Sequence, residues 1–376
     1  MKRLADICDI QYGYAFESKC FTEDSSYPQL VRIRDVKRGY SETYYSGNYP
    51  EEYILSEGDL LIGMDGEFNI ARWKCSGALL NQRVCKLTTK VGTNEEYLRF
   101  AMLKSLKEIE QRTAFVTVKH LSAKELNKLE LDVPELTKQD KIADTLSRLE
   151  RVIEARKEEL EKLDELIKAR FVEMFGDIAT GQYKYETRRM GEVAKVGSSH
   201  RVFTTEFVDE GIPFYRGTEI GELANGQKPS EPYYISKEHY NRLANDDTRP
   251  KVGDLLMPSI CNKGQVWMVD TEEPFYYKDG RVLCISPNRE IYDSRYLQYF
   301  MRVKTEVEYP KMGSGSTFSE FKIFLLKDFE VLTPPRDIQE EFSSFVEQVD
   351  KSKVAVQKAL EKTQLLFESL MQQYFG

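Results

Sequence analysis

Basic and polar residues beside aromatics, in segments that read as loops, are the chemistry this sequence offers. Arg32, Arg34, Lys37 and Arg38 crowd one short stretch, Arg72 and Lys74 flank Trp73, and Arg112 is followed by Lys119 and His120. Further along stand Arg201, Tyr215 with Arg216, Asn262 with Lys263, and Lys311 at the head of a Gly-Ser run holding Ser314 and Ser316. Arginine and asparagine can each make two parallel hydrogen bonds to a guanine or adenine edge, and lysine and serine suit phosphate oxygens. The set is therefore that of a nucleic-acid reader. For any one residue, an ion pair inside the fold or a solvated position competes with that role. The competition is sharpest at Arg34 and Arg216, which lie near repeated strand-like segments. His120, on an apolar-flanked stretch, suits packing or capping better than reading.

The motifs of catalysis are missing. The run Lys311-Met312-Gly313-Ser314-Gly315-Ser316-Thr317 is Gly-rich but lacks the Walker spacing and its Lys-Ser/Thr ending. A loop whose backbone N–H groups meet phosphate oxygens fits it better. No Asp/Asn-Pro-Pro-Tyr/Phe segment argues for an amino-methyltransferase; Pro334-Pro335 stands between Thr333 and Arg336, just ahead of a helical pattern. No pair of carboxylates stands out as an acid/base couple.

Composition narrows the class. The 376 residues are 41% hydrophobic and 12% aromatic, enough for packed cores and room for two domains. The formal charge of -8 is spread evenly, with -2 on each of the segments 1–135, 136–178, 179–335 and 336–376. That excludes a polybasic clamp on nucleic acid while allowing a local basic face. Cys8, Cys20, Cys75, Cys85, Cys261 and Cys284 form no CxxC pair, and His120, His200 and His239 are scattered. Zinc sites and disulfides are poor fits, and a reducing cytoplasm is the natural setting. The first residues reach Asp6 before any apolar run develops, unlike a signal peptide, and no stretch has the length of a membrane span.

Two long helices must position these residues. Ile142, Leu146, Leu149, Ile153, Leu160, Leu163, Ile167 and Met174 recur at steps of four and three, with Arg156 and Arg170 on the two remaining beats. Adding 200 to each number gives Phe342, Val346, Val349, Lys353, Val356, Leu360, Thr363, Phe367, Leu370 and Tyr374. A 3.5-residue seam keeps one edge facing a partner helix. Both helices close alike, on Met174-Phe175-Gly176 and Tyr374-Phe375-Gly376, and both carry a glutamine near the start, Gln139 and Gln339. Thr137 with Asp140, and Asp337 with Glu340, predict N-caps answered by an acid three residues on. Caps, glutamines and endings moved by one constant mark an internal duplication. Arg156 and Arg170 are expected to face a partner or the helix rim.

The globular parts repeat as well. Leu4–Ile10 resembles Met190–Val196. Leu30–Val36, whose alternation predicts a strand running into a polar turn, is answered by Pro213–Ile220. Gly58-Asp59-Leu60-Leu61-Ile62 returns as Gly253-Asp254-Leu255-Leu256-Met257, each followed by a Gly turn and a strand carrying Trp73 or Trp267. Gln82-Arg83-Val84-Cys85 pairs with Gly280-Arg281-Val282-Leu283-Cys284, and Thr117–Leu121 with Thr317–Phe321. The offset grows from about 184 to 200, so the second copy has insertions between matched strands. Keeping a framework while changing its loops is how one scaffold reads two targets; drift of a duplicated structural domain is the competing account.

The expected order is then a first domain over 1–135, a helix over 136–176, a connector over 177–186, a second domain over 187–335 and a helix over 336–376. Facing seams would make an antiparallel pair, and about 33 residues at about 1.5 Å each make a spacer on the order of 50 Å, longer than one turn of B-DNA, about 34 Å.

This ordered set resembles the specificity subunit of type I restriction–modification systems across essentially the whole chain. The carrying residues are the two Gly-Asp-Leu-Leu blocks, the Pro and Gln139 or Gln339 at the helix starts, and the endings Phe171–Gly176 and Leu370–Gly376. The resemblance implies an α+β fold with two α/β-type target recognition domains. These would be separated by two long helices in an antiparallel coiled coil, related by a pseudo-twofold internal repeat. It implies that each domain reads one half of a bipartite double-stranded DNA target. It further implies that the helical pair docks two DNA-methyltransferase subunits, and that restriction and translocase subunits join them. S-adenosylmethionine, ATP and magnesium would then belong to partners, and this chain would be non-catalytic. No reading residue carries over from that family, so the residues named above rest on chemistry alone. A protein-pairing scaffold and a self-contained enzyme remain the rival readings.

Overall fold

In a computed structural model the described residues are 1–112, 121–244, 248–312 and 319–376. They form two compact units: residues 1–159 with 356–376, and residues 160–355. Both long helices are therefore shared out, because each half-helix supplies apolar side chains to one core.

In the first unit, strands β1 (Cys8–Tyr12), β2 (Leu60–Gly63), β3 (Asn69–Arg72) and β4 (Val84–Thr89) make an antiparallel sheet in the order β1-β4-β2-β3. Helix α1 (Ile33–Val36) precedes β2, and helices α2 (Glu95–Arg112) and α3 (Leu136–Phe175) follow β4. The second unit repeats this plan. Strands β5 (Ala194–Gly197), β6 (Leu255–Pro258), β7 (Trp267–Met268) and β8 (Val282–Pro287) lie in the order β5-β8-β6-β7. Its helices are α4 (Gly217–Ala224), α5 (Ser294–Glu308) and α6 (Arg336–Phe375). Each unit also has a smaller sheet with one parallel pairing, Leu30 beside Leu79 in the first and Phe214 beside Tyr276 in the second.

The Gly-Asp blocks set the start of β2 and β6. Gly58 and Gly253 take φ of +91° and +84°, a region that is costly for any side chain. The Asp59 carboxylate then accepts from Ser56 N at 2.8 Å, and Asp254 accepts from Lys251 N at 2.9 Å. The same bond, from the N–H three residues earlier to the Asp side chain, closes the turn that delivers each apolar strand into its sheet. Trp73 and Trp267 are both buried but are not register equivalents. Leu61 pairs with Ala71, whereas Leu256 pairs with Trp267. Trp73 sits two residues further on, just past β3, and on the same face.

Two other expectations change. The strand predicted over Leu30–Val36 stops at Val31, and Ile33–Val36 is helical. The reason is Asp35, whose buried carboxylate accepts from Arg32 N at 3.0 Å and from Ser41 Oγ at 2.9 Å. Glu219 does the same for Arg216 N at 2.7 Å, starting α4. An acid three residues after the turn was a helix-start signal hidden inside an alternating pattern. Thr137 and Asp337 are not N-caps, because α3 and α6 already begin at Leu136 and Arg336, which puts Glu135 and Pro335 at the cap positions. The carbonyls of Glu135 and Pro335 accept the first helical N–H groups instead.

The glutamines explain that earlier start. Gln139 is 1% exposed and Gln339 fully buried. Gln139 Nε2 donates to Gly92 O and Pro134 O, and its Oε1 accepts from Asn94 N at 2.9 Å. Gln339 Nε2 donates to Ile291 O and Pro334 O, and its Oε1 accepts from Asp293 N at 2.9 Å. Asn94 and Asp293 in turn accept from the first-turn N–H groups of α2 and α5. One buried amide in each unit thus ties the start of a long helix to the start of the helix beside the sheet.

Every seam position is buried or half-buried. In the first unit, Ile142 and Leu146 lie in the core with Phe100, and Phe367, Leu370 and Tyr374 pack against it; Leu149, Ile153, Val356 and Leu360 continue the line. In the second unit Ile167, Phe342, Val346 and Val349 lie in the core, with Leu163 and Met174 against it and Leu160 half-buried. The polar beats find partners: Arg156 donates to Ala359 O and Thr363 Oγ1, Arg170 to Glu341 Oε1 at 2.7 Å, and Lys353 to Asp164. The connector after α3 folds as a hairpin, Gly176–Asp177 pairing with Gln182–Tyr183.

Candidate nucleic-acid interface

The loop ends of the two sheets hold the polar residues of interest. In the first unit, Arg32 and Arg34 line one open cleft with Thr22, Glu42 and Tyr44. Both arginines are exposed, and Arg34 Nε lies 3.8 Å from the buried carboxylate of Asp35. On the same short segment, Lys37 pairs with Glu67 at 3.4 Å and Arg38 with Glu42 at 3.5 Å. Such exposed pairs are weak, so these cations can exchange a carboxylate for a phosphate at little cost. Lys74 is exposed, its stem lying over Gly39.

Arg72 belongs elsewhere. It donates to Glu95 Oε1 at 2.5 Å, to Glu96 and to Gly58 O at 2.7 Å, bracing the first turn of α2 against β3. Burial pushes the Glu96 carboxyl up, but Arg99 and Arg72 outweigh it and hold the group below its ordinary value. Arg99, itself buried, passes the chain of charges on to Glu150. That network supports the fold, so Arg32 and Arg34 share a site that Arg72 does not. The side chain of Arg112, with Lys119 and His120, lies outside the described residues.

In the second unit, Arg216 is locked onto the carboxylate of Glu219 and its guanidinium lies 4.4 Å over the Tyr233 ring. Burial pushes Glu219 up, yet hydrogen bonds from the Arg216 side chain and backbone hold it below the ordinary carboxylate value. Tyr215 is half-buried, stacked on Phe275 at 5.2 Å. Arg201 pairs with Asp279 at 3.4 Å and lies 6.0 Å over the exposed Phe203 ring. Asn262 and Lys263 are exposed in the turn before β7, and Lys263 N donates to Gln265 Oε1. Lys311 pairs with Glu308 at 3.2 Å, and Ser314 and Ser316 lie outside the described residues.

One cleft was not legible beforehand. Thr218, Ser259, Gln265, Lys278 and Arg281 line it, at the end of β6 beside the start of α4. At the matching end of β2 in the first unit, Arg83 Nη1 lies 2.8 Å from Asp65 Oδ2, and the side-chain oxygens of Asn69 and Asn81 are buried without a hydrogen-bond partner among the described residues. Arg83 and Arg281 stand in one of the repeated blocks, and that repetition was the available signal. Among the described residues no three metal-binding side chains converge on one point, and no helix is long and apolar enough to cross a membrane.

Comparisons with known proteins agree with this plan. The family described as type I restriction modification DNA specificity domain matches residues 1–165 and 183–365. The specificity subunit of the Escherichia coli type I restriction enzyme EcoBI is 39% identical over 163 residues, 43% of this chain and 34% of the relative. A putative type I restriction enzyme specificity subunit of Haemophilus influenzae is 26% identical over 188 residues, 49% of this chain and 44% of the relative. The aligned parts thus span between a third and a half of these curated relatives. Among solved structures, a type I restriction-modification S subunit from M. genitalium superposes with a TM-score of 0.60 at 15% identity, covering 100% of this chain and 95% of that one. A chain from work on assembly and conformational transition of the type I R-M system gives 0.57 at 18% identity, covering 100% and 96%.

Proposed function

Because the chain belongs to the family of type I restriction modification DNA specificity domains, we propose that it is the DNA-specificity subunit of a type I restriction–modification enzyme. Each compact unit reads one half of a bipartite double-stranded DNA target. The two 40-residue helices pair antiparallel as a coiled coil, relate the units by a pseudo-twofold axis, set the distance between half-sites and dock two methyltransferase subunits. Restriction and translocase subunits complete the enzyme in the cytoplasm. S-adenosylmethionine, ATP and magnesium serve those partners, and this chain positions the target without chemistry of its own.

One observation carries the reading. The two units keep the same strand order, the same Gly-Asp turn and the same glutamine tie. Yet they present different polar side chains at the loop end: Arg32, Arg34 and Lys37 in the first, Asn262, Lys263 and Lys278 in the second. A shared frame with two sets of hydrogen-bonding groups suits the reading of two unlike half-sites. The charge of -8 is compatible, because bound partner subunits can supply much of the surface that encloses DNA.

The test is methylome sequencing of cells carrying this chain with a cognate methyltransferase subunit, against cells lacking this chain alone. A bipartite methylated motif that vanishes in the control is the expected result. An active methyltransferase with no such motif would refute the specificity role and favour a protein-pairing scaffold, which the acidic charge also suits.

A further inference from the structure

Arg83 and Arg281 occupy the same place in the two units. At the end of β2, Met64 N donates to Arg83 O at 2.8 Å, and Met64 O accepts from Leu121 N at 2.7 Å. At the end of β6, Ser259 N donates to Arg281 O at 2.8 Å, and Ser259 O accepts from Phe321 N at 2.7 Å. Each arginine therefore stands where the long segment after α2 or α5 rejoins the sheet.

The turns that deliver them differ. In the first unit Val84 N donates to Asn81 O, a four-residue turn that puts Arg83 at φ +79°. Among the described residues it is the one non-glycine at positive φ. In the second unit Val282 N donates to Lys278 O, a turn one residue longer, and Gly280 takes the positive φ at +63°. A glycine would suit the Arg83 position better, and backbone strain is retained where something else requires the side chain. What stays constant across the two turns is the arginine and its register.

Both side chains are half-exposed and held by a carboxylate of the loop end. Arg83 Nη1 lies 2.8 Å from Asp65 Oδ2, in the turn after β2. Arg281 pairs with Glu320, just before the strand-end contact of Phe321. An exposed pair of this kind orients a guanidinium yet releases it readily. Asn81 opens the turn that carries Arg83; beside Arg281 lie Gln265, Lys278 and Thr218. Around Arg281 these groups can hydrogen-bond an incoming base pair, and at both places the guanidinium itself is open to one.

We propose that Arg83 and Arg281 are matched base-reading residues, one for each half-site, each turning from its carboxylate to the O6/N7 edge of a guanine in the major groove. This rests on the reading of each unit as a half-site reader. The test compares methylomes of cells carrying the methyltransferase partner with the native chain, with Arg83→Gly or with Arg281→Ala. The glycine variant removes the side chain while relieving the backbone, so it is not expected to unfold. Arg281→Gln, which keeps a long polar side chain but cannot present two donors to a guanine edge, covers the case where Arg281→Ala does not fold. Each variant should relax one position in one half of the motif, lowering discrimination there by roughly 5- to 150-fold, and leave the other half and the spacer unchanged. A full motif unchanged by folded Arg83→Gly and Arg281→Gln overturns the assignment while leaving the specificity reading intact. Absence of any motif with the native chain overturns both.

Discussion

Replacing Gln339 with Met should destabilise the second unit far more than any exposed glutamine-to-methionine change. The side chain is fully buried, so methionine fills its volume but none of its three hydrogen bonds. Ile291 O and Pro334 O lose donors at 2.9 and 2.8 Å, and Asp293 N loses its acceptor at 2.9 Å. At about 0.5–1.5 kcal/mol net per bond the loss is roughly 2–4 kcal/mol, with the stranded N–H pushing it upward. That is a large part of a typical total of about 5–15 kcal/mol. The chain has two tryptophans, and they divide the assay. Trp267 is buried in the second unit and Trp73 in the first. In a Trp73→Phe background, urea unfolding followed by Trp267 emission reports the second unit alone. Gln339→Met should lower that transition midpoint with little change in its slope, whereas Gln348→Met, on the exposed face of the same helix, should fall within about 0.5 kcal/mol. A loss below about 1 kcal/mol for Gln339→Met would refute the tie.

Thiol chemistry should sort the cysteines by burial. Burial pushes Cys8, Cys85 and Cys284 up to about 12 and Cys261 up to about 11, while Cys20 and Cys75 are half-buried. Labelling the native protein with iodoacetamide near pH 8, read by peptide mass spectrometry, should modify Cys20 and Cys75 first; rapid labelling of Cys85 or Cys284 without denaturant would contradict this packing. Glu219 should make the second unit acid-sensitive. Its folded pKa lies below the ordinary carboxylate value, held there by the Arg216 side chain and backbone, so its contribution is complete above the unfolded value and is lost as pH falls through the folded one. Trp267-monitored stability should therefore decline below about pH 4.5, and Glu219→Gln should flatten part of that decline; an identical pH slope in the variant would remove Glu219 from the account.

The duplicated plan was legible because it is written in residue types that obey simple rules. Gly-Asp before an apolar run specifies a turn and a strand, and both Gly58 and Gly253 do take positive φ. The α3 and α6 seams were read from their 3.5-residue spacing, and each seam residue is buried or half-buried. What failed was finer. Thr137 and Asp337 look like caps, but each helix starts two residues sooner than a cap there allows, and a buried glutamine bonds back to the proline carbonyl ahead of that start. Ile33–Val36 alternates like a strand, but Asp35 closes a helical turn. Trp73 and Trp267 look equivalent, yet register separates them by two residues. The candidate readers split for a related reason: sequence shows that Arg72 and Arg216 are charged, but only packing shows that Glu95, Glu96 and Glu219 already hold them.

The same packing says which parts of each unit are free to vary. Residues that fix the frame point inward or bond the backbone: Asp59 and Asp254 at the turn, Gln139 and Gln339 at the helix start, Asp35 and Glu219 at the short helix. Changing any of them strands a buried donor or acceptor, which costs about 1–3 kcal/mol. The polar groups at the loop end make few such bonds, or exposed ion pairs worth about 0–1 kcal/mol. Arg32, Lys37, Asn262 and Lys278 can therefore be exchanged with little effect on stability. Arg83 breaks that division, since it sits at the loop end and carries backbone strain that glycine would remove. A position whose side chain is kept against its own backbone preference, at the register that its counterpart Arg281 occupies without strain, is better explained by what the side chain contacts than by what it stabilises.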